Sequence, residues 1–307
     1  MSNLSAKDGT LFAFFGVAII VLLIAITSLL VHDIRGSSDI PQVASVPVAD
    51  TPTTTVTHIP SPPATSSPSI KDAAPIETPI LKTYIEVTDG CAAHFQGECL
   101  LVRSGPGKEY PILSKLRTGI VLQVDDTPIV DATGLTWYKV VFDEWLRYPE
   151  RLHGNWYVAA DYVTVLREPA VPDYVPGVSP TTTKQIIVNR TKQRLYAYDG
   201  DTLVMTATTS TGLDSTPTPR GEFTIFKKTP SRYMQGPLPN LDSNQVYDLP
   251  GVPWNLYFTN GGAVIHGAYW HTAFGTPYSH GCVNLSLADA RKIYDWAPVG
   301  TIVTVRD

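Results

Sequence analysis

Near its C-terminus the chain reads Ser279-His280-Gly281-Cys282-Val283-Asn284, and Val264-Ile265-His266-Gly267 precedes this run by a short insert. An imidazole close to a cysteine can take the proton of a thiol that would otherwise stay mostly protonated at neutral pH. In extended backbone, the side chains of His280 and Cys282 point to the same face, whereas His266 comes from another strand or loop. The pattern predicts a thiol nucleophile with either imidazole as its base.

The same motif can supply an oxyanion site. Gly281 lets the backbone approach a substrate closely, and the consecutive N–H groups of His280, Gly281 and Cys282 can bind the oxygen of a carbonyl substrate. One alternative is a buried structural cysteine with histidines in the core, and another is a zinc site built from His266, His271, His280 and Cys282. The ligand spacings match no common zinc pattern, so we expect neither a metal nor a cofactor.

The complete motif resembles the signature of the L,D-transpeptidase catalytic domain, the YkuD-type fold. The dipeptide His266-Gly267 and the hexapeptide at 279–284 carry this resemblance, and residues 218–223 and 254–258 extend it across 184–307. A six-residue match with an upstream His-Gly is far more specific than a Cys–His pair alone.

The resemblance implies acyl transfer on the stem peptides of peptidoglycan. In that family the cysteine attacks the carbonyl that links the third stem residue to a terminal D-alanine. D-alanine leaves and a thioester remains, which an amine of a neighbouring stem's diamino acid attacks to give a 3-3 crosslink. Water or another amine would give hydrolysis or exchange instead.

Roles for individual residues follow from the same resemblance. Cys282 is the nucleophile, His266 is the proton acceptor and donor, and Gly267 supplies a carbonyl that orients His266. His280 and Gly281 shape the oxyanion site. The chemistry of the residues alone does not rank His266 above His280 as the base. We also expect substrate contacts from Tyr257, Tyr278, Ser279 and Asn284.

Two other enzyme classes fail on sequence motifs. Thiol endopeptidases that cut wall peptides place the cysteine before the histidine, and no histidine follows Cys282. Penicillin-binding transpeptidases use Ser-x-x-Lys together with Lys-Thr-Gly, and neither occurs. The remaining alternative is a wall-binding or carboxypeptidase-like protein with little crosslinking activity. The intact Cys282, His266 and His280 argue against an idle catalytic domain.

The fold class predicted for residues 184–307 is mainly β with one C-terminal helix. Ser286 can cap that helix, which includes Ile293 and Tyr294. We expect neither a doubly wound sheet nor a papain-like fold. The predicted strands are residues 185–189, 193–198, 203–208, 222–227 and 301–305.

Residues 81–166 read as a separate region of short strands and turns. This region resembles a bacterial SH3-type domain, which implies a small barrel that binds the cell wall or positions the catalyst. We expect Trp137 in its core, and for Trp156 and Tyr162 both a core and a ligand-binding role remain open. An insert at 142–153 departs from the compact pattern. The runs that carry the resemblance are residues 102–107, 137–140 and 156–163.

The N-terminal part of the chain predicts a membrane anchor. Residues 11–31 are uncharged, span about the 20 residues a helix needs to cross a bilayer, and end without a small-x-small cleavage site. They follow a short tail at 1–10 and precede a Pro/Thr/Ser-rich segment at 32–80, which should be a solvated stalk. We expect a single-pass protein of the cell membrane with the catalytic region on the extracytoplasmic side, and a linker at 167–183.

The net charge and the number of cysteines indicate which partners the protein can bind and which cellular compartment suits it. The net charge of −5 comes with scattered Lys and Arg, so no basic face for nucleic acid is expected. No phosphate-binding loop occurs, so no nucleotide is expected either. In an exported chain Cys91 and Cys99 can close a small disulfide loop and leave Cys282 unpaired, whereas three reduced thiols would suit a cytosolic protein. The predicted partners are peptidoglycan stem peptides and, through one helix, the membrane.

Overall fold

The computed structural model describes residues 80–170, 180, 182–238 and 245–307. The predicted anchor at 11–31 lies outside these residues, as do the N-terminal tail, nearly all of the stalk and most of the linker at 167–183. Within the described part of the chain, no helix is both long and apolar enough to cross a membrane.

The first folded region consists of short antiparallel strands in two sheets. One sheet has the order β4-β1-β8 and the other β3-β2-β7-β6-β5. Strand β8 continues past the predicted boundary at residue 166, because its pairing with β1 extends to Pro169. The strands are β1 (Leu81–Val87), β2 (Leu100–Arg103), β3 (Ile112–Leu116), β4 (Val121–Gln123), β5 (Ile129–Val130), β6 (Thr136–Lys139), β7 (Tyr157–Ala159) and β8 (Val163–Pro169).

Apolar side chains that alternate along these strands form the core of the region. In β2, Leu100 and Val102 are buried and their neighbours are only partly so, which is the period of a strand with one buried face. Trp137 and Trp156 are also buried, so both belong to the core. Tyr162 is 43% exposed and remains accessible. The assignment of this region as an SH3-type domain stays a prediction.

The second region is mainly β with one helix near its C-terminus, as the sequence predicts. One sheet has the order β11-β10-β9-β17-β12 and the other β13-β14-β15-β16. Two neighbouring pairs are parallel, β9 with β17 and β15 with β16. The elements are β9 (Lys184–Asn189), β10 (Arg194–Asp199), β11 (Thr202–Thr208), β12 (Gly221–Thr224), β13 (Lys227–Pro237), β14 (Val246–Tyr257), β15 (Val264–Gly267), β16 (Val283–Leu285), α1 (Leu287–Trp296) and β17 (Ile302–Arg306).

Helix α1 supports the strands that carry the motif. It begins after Ser286, whose Oγ accepts a hydrogen bond of 3.1 Å from the backbone N–H of Asp289 and so caps a free donor of the first turn. Its buried residues Ala290, Ile293 and Tyr294 belong to the main hydrophobic core. The helix packs against β14 and β15 and therefore holds β15 in place from behind.

The two regions share a second hydrophobic core where β4 meets the hairpin of β13 and β14. Tyr233 and Val252 of the hairpin are buried in the same cluster as Ile120 of the first region. Gly251 makes this approach close: its φ is +61°, and a Cβ there would lie 2.5 Å from the carbonyl oxygen of Val121. The first region thus packs directly against the β13–β14 hairpin.

Candidate active site

Strands β15 and β16 bring the two halves of the motif together. They pair in parallel, with Ile265 opposite Val283 and His266 opposite Asn284. Because side chains alternate along a strand, His266 and Asn284 share one face, and Cys282 faces the same cavity just before β16 begins. All residues of both strands are buried, so packing on both sides fixes the backbone that carries these groups.

A cavity of about 390 Å³ opens over this face. Other walls come from side chains outside the motif, namely Met234 and Tyr247 of the β13–β14 hairpin, Trp270 after β15, and Arg117 of the first region. The sequence motif gives no local signal for these four residues, and they were not predicted. The predicted residues that line the cavity are His266, Tyr278, Ser279, His280, Cys282 and Asn284.

Two of the predicted residues lie outside this cavity. Gly267 is buried within β15 and contributes its carbonyl. Tyr257, the last residue of β14, lines a neighbouring cavity of about 420 Å³ together with Arg232 and Gly262. The carbonyl oxygen of Gly262 is 3.8 Å from the Sγ atom of Cys282. Cys282 therefore lies next to both cavities.

The imidazole of His266 is held in one tautomer. Its Nδ1 lies 3.0 Å from the carbonyl oxygen of Gly267, and because a carbonyl can only accept, Nδ1 carries the proton and donates it. The Nε2 atom is then an unprotonated acceptor. Burial lowers the pKa of His266 to about 4, so the ring is neutral at physiological pH. A neutral imidazole with a free Nε2 is competent as a general base.

The thiol of Cys282 is also neutral at rest. Burial raises the pKa of Cys282, while the positive charge of Arg232 and a hydrogen bond from the backbone of Val264 act in the opposite direction. The Sγ–H group donates to the Gly262 carbonyl. A thiol and an imidazole that are both uncharged at rest suit activation of the thiol by transfer of its proton to the imidazole.

The oxyanion site differs from the expectation of three consecutive N–H groups. The N–H of Gly281 donates to Oγ of Ser279 at 3.1 Å, and that hydroxyl in turn donates to the carbonyl of Cys282 at 2.5 Å. The N–H groups of His280 and Cys282 have no hydrogen-bond partner among the described residues. These two groups can receive an oxyanion, while Ser279 fixes the loop. Gly281 has a φ of +114°, which a residue with a side chain rarely adopts.

The side chain of His280 packs on the hairpin. Its ring stacks on Tyr247 with centroids 5.2 Å apart and planes inclined by 8°. Burial lowers the pKa of the His280 imidazole and raises the pKa of the Tyr247 phenol. The structure shows a packing role for the His280 ring, in addition to a free backbone N–H.

A second buried histidine orients Asn284. Nδ1 of His271 accepts from the N–H of Ala273 at 3.2 Å, so Nε2 carries the ring proton. Nε2 lies 3.0 Å from Nδ2 of Asn284, and because both nitrogens would then be donors, the Asn284 amide has to be turned so that Oδ1 accepts this proton. Burial lowers the pKa of His271 to about 4. The sequence had suggested His271 only as a zinc ligand. Within the described ranges, no group of three or more His, Cys, Asp or Glu residues is placed to bind a metal ion.

Two of the three cysteines are bonded to each other, and Thr218 contacts the backbone of the third. Cys91 and Cys99 form a disulfide, and Cys282 is a free thiol. Thr218, in the run that carries part of the family resemblance, is buried and accepts from the N–H of Gly212 at 2.9 Å while donating to the carbonyl of Cys282 at 3.3 Å. This run therefore supports the backbone of the nucleophile. The sequence indicates this run only as part of the family resemblance and gives no signal for its contact with Cys282.

Comparison with known proteins agrees with this geometry. Residues 183–305 match the family model of the YkuD L,D-transpeptidase catalytic domain. A curated Bacillus licheniformis protein, provisionally named L,D-transpeptidase YkuD, is 28% identical over 136 residues, which cover 43% of this chain and 72% of that protein.

Two solved L,D-transpeptidase structures have lower sequence identity to this chain. The Enterococcus faecium L,D-transpeptidase, determined as a cysteine-to-serine mutant, is 23% identical with a TM-score of 0.36, covering 40% of this chain and 49% of its own. An L,D-transpeptidase from Mycobacterium smegmatis is 21% identical with a TM-score of 0.39, covering 73% and 99%. This chain thus spans about half the length of the Enterococcus faecium protein. The family match coincides with the region that holds the free thiol, His266 and the unpaired N–H groups, and it supports an L,D-transpeptidase enzyme.

Proposed function

We propose that this protein is a membrane-anchored L,D-transpeptidase that forms 3-3 crosslinks between peptidoglycan stem peptides outside the cytoplasm. The uncharged run at 11–31 and the Pro-rich segment at 32–80 support the anchor and the stalk. The family match at 183–305 and the catalytic cavity support the chemistry.

In the first half-reaction, Nε2 of His266 takes the proton of the Cys282 thiol as Sγ attacks the carbonyl between the third stem residue and the terminal D-alanine. A C–S bond forms and the carbonyl oxygen becomes an oxyanion, which the N–H groups of His280 and Cys282 stabilise. The C–N bond then breaks as His266 gives its proton to the leaving amine. D-alanine departs and a thioester remains on Cys282.

In the second half-reaction, the neutral amine of a neighbouring stem's diamino acid attacks the thioester. Nε2 of His266 takes a proton from the attacking nitrogen, the C–S bond breaks, and the thiolate of Cys282 takes that proton back. The amide bond to D-alanine has been replaced, through a thioester, by an amide bond to the acceptor amine. The exchange conserves acyl bonds, so the reaction requires no nucleotide.

One observation carries this proposal above the others. The hydrogen bond from Nδ1 of His266 to Gly267 leaves Nε2 free in the cavity that Cys282 also lines. A base oriented in this way contributes typically about 10²- to 10⁴-fold to a rate. A purely wall-binding protein would have no need for a neutral, oriented imidazole beside a free thiol.

We further propose that residues 81–166 are an SH3-type domain that binds the wall or positions the catalyst. The exposed ring of Tyr162 lines a cavity of about 240 Å³ with Lys108 and the edge of Trp137. If this cavity binds wall material, Tyr162→Ala should reduce sedimentation of the full chain with purified sacculi. Unchanged sedimentation would leave the region with a positioning role alone.

Mass spectrometry of muropeptides tests the catalytic proposal. The full chain is incubated with purified disaccharide tetrapeptides, and the wild type should release D-alanine and yield dimers joined between third residues. The matched Cys282→Ala protein should yield neither, and crosslinks formed by that variant would contradict the mechanism. Tripeptides without dimers would favour the alternative, a carboxypeptidase-like enzyme.

A further inference from the structure

Arg117 of the first region reaches the catalytic cavity. It follows β3 and lines the same cavity as Cys282 and His266, although it lies outside the matched catalytic domain at 183–305. Packing of the first region against the β13–β14 hairpin brings it there. The cavity therefore contains a permanent positive charge that the catalytic domain does not itself provide.

Among the residues that the structure describes, the guanidinium of Arg117 has no compensating charged partner. Its Nε and Nη1 atoms are buried and have no hydrogen-bond acceptor among the described residues. No carboxylate of the described chain lies within ion-pair distance of it. The nearby phenol of Tyr269 donates to the carbonyl of Pro250 at 2.7 Å, so it is engaged elsewhere. Buried charges are normally paired, and an unpaired one at the wall of an open cavity suits an anionic ligand.

Aromatic rings hold the guanidinium in place. Its carbon atom lies 3.8 Å from the centroid of the Phe95 ring and 5.4 Å from that of Tyr269. Phe95 belongs to the short loop that the Cys91–Cys99 disulfide closes. The backbone of Cys91 pairs with that of Arg117, and the N–H of Thr118 donates to the carbonyl of Cys91 at 3.0 Å. Ring stacking and the closed loop therefore orient a guanidinium that can bind a carboxylate through its remaining nitrogen, Nη2.

We propose that Arg117 binds a carboxylate of the stem peptide, so that the first region completes the substrate site of the catalytic domain. This inference rests on the proposed function, since peptidoglycan stems are the peptides that the catalytic domain would bring into the cavity. The carboxylate can be the one at the C-terminus of the tetrapeptide or one further along the stem. Phe95 is a positioning residue that acts through Arg117.

The test compares three synthetic tetrapeptides that end in D-alanine. One has all carboxylates free, the second is amidated at its C-terminus, and the third is amidated at its internal carboxylates. Release of the terminal residue by the full-length wild type should be about 10- to 100-fold faster, in kcat/KM, for the free acid than for one of the two amides, because a charge-assisted hydrogen bond is lost. The amide that is disfavoured identifies the carboxylate.

Variants assign this preference to Arg117. Arg117→Gln should process the free acid and the disfavoured amide at equal rates, with the change mainly in KM, and Arg117→Lys should restore part of the preference. Arg306→Gln removes an exposed arginine on β17 and should behave as the wild type. Unaltered thermal unfolding of Arg117→Gln establishes that it is folded. An Arg117→Gln protein that retains the wild-type preference would overturn the inference.

Binding separates this inference from the proposed reaction. In a Cys282→Ala background, calorimetry should show that Arg117→Gln weakens binding of the free-acid tetrapeptide about 10- to 100-fold and leaves the disfavoured amide unaffected. Normal Arg117-dependent binding without release of D-alanine by the wild-type protein would contradict the proposed function alone. If the Cys282→Ala protein and the Cys282→Ala, Arg117→Gln protein bind the free-acid tetrapeptide equally well, that result would contradict the Arg117 contact alone.

Discussion

The two sides of the active-site cavity are assembled in different ways. On the chemical side, His266 lies on β15 and Cys282 directly precedes the adjacent strand β16, and local hydrogen bonds fix the His266 ring and the loop at 279–282. On the opposite side, the walls come from the β13–β14 hairpin and from Arg117 of the first region. Reaction chemistry is therefore encoded in one short stretch of sequence, whereas recognition depends on packing between regions. Substitutions on the two sides should have different consequences.

The largest effect should come from the chemical side. Replacing His266 by Ala removes the proposed base, and D-alanine release should fall by about 10²- to 10⁴-fold, with alkylation of Cys282 at neutral pH slowed as well. His280→Ala removes a ring that stacks on Tyr247 and retains the backbone N–H, so it should lower both rates less than His266→Ala does. An assay of D-alanine release and the kinetics of iodoacetamide labelling measure the two rates in both variants. A larger loss in His280→Ala would reassign the base and undo the distinction between chemistry and packing.

The second prediction concerns stability and pH. The folded pKa of His266 is about 4 against an ordinary value of 6.5, so the unfolded chain binds the proton first as the pH falls. The contribution of the neutral His266 ring to the free energy of unfolding is fully present above pH 6.5 and is lost as the pH falls towards 4. This lost contribution amounts to about 3 kcal/mol.

Urea unfolding of the wild type and of His266→Gln at pH 7 and pH 4 measures this contribution. The wild type should lose more stability than the variant by about 3 kcal/mol. Glu144, whose pKa burial raises to about 7, changes in the opposite sense in both proteins, so the difference between them isolates His266. An equal pH dependence in the two proteins would mean that His266 is not buried as a neutral ring.

A third effect should come from the opposite side of the cavity. The paired change Cys91→Ala and Cys99→Ala opens a short loop, and the free energy of unfolding should fall by about 2–3 kcal/mol. Because Phe95 in this loop stacks on Arg117, KM for the tetrapeptide should rise while kcat changes little. Denaturant unfolding and steady-state kinetics measure the two quantities. A fall in kcat with unchanged KM would contradict the division between the two sides.

The smallest effect concerns the charge near the nucleophile. Arg232 lowers the pKa of Cys282 through its positive charge, so Arg232→Gln should raise that pKa and slow alkylation at pH 7 by roughly 2- to 5-fold. The pH profile of iodoacetamide labelling measures the shift, with Arg306→Gln as the control. A profile that coincides with the wild type would show that solvent screens Arg232 from Cys282.

Much of the chemical side could be predicted from the sequence. The spacing of His280 and Cys282 indicates a shared face, Ser286 indicates the start of α1, and the six-residue motif identifies the catalytic domain. These features depend on local backbone geometry, which a short segment specifies by itself. The ranking of His266 over His280 required the family resemblance. The Nδ1 hydrogen bond to the Gly267 carbonyl, which leaves Nε2 as an acceptor, supports that ranking.

The remaining walls could not be predicted, for reasons that are equally physical. Arg117 is separated from Cys282 by more than half of the chain's folded part, and only the shared core with the hairpin brings them to one cavity. The occupation of the Gly281 N–H by Ser279 also escaped prediction, because a run of N–H groups looks equally available until side-chain rotamers are known. Non-local packing and rotamers are not encoded in residue spacing.

Mass spectrometry of the intact protein tests the central claim most directly. The full chain is incubated with a tetrapeptide that ends in D-alanine, without an amine acceptor, and is quenched in acid. We expect a mass increase equal to the acyl group of the remaining tripeptide, located on Cys282 by peptide mapping and absent in Cys282→Ala. Release of D-alanine with no adduct on Cys282, or the same release by Cys282→Ala, would contradict the account.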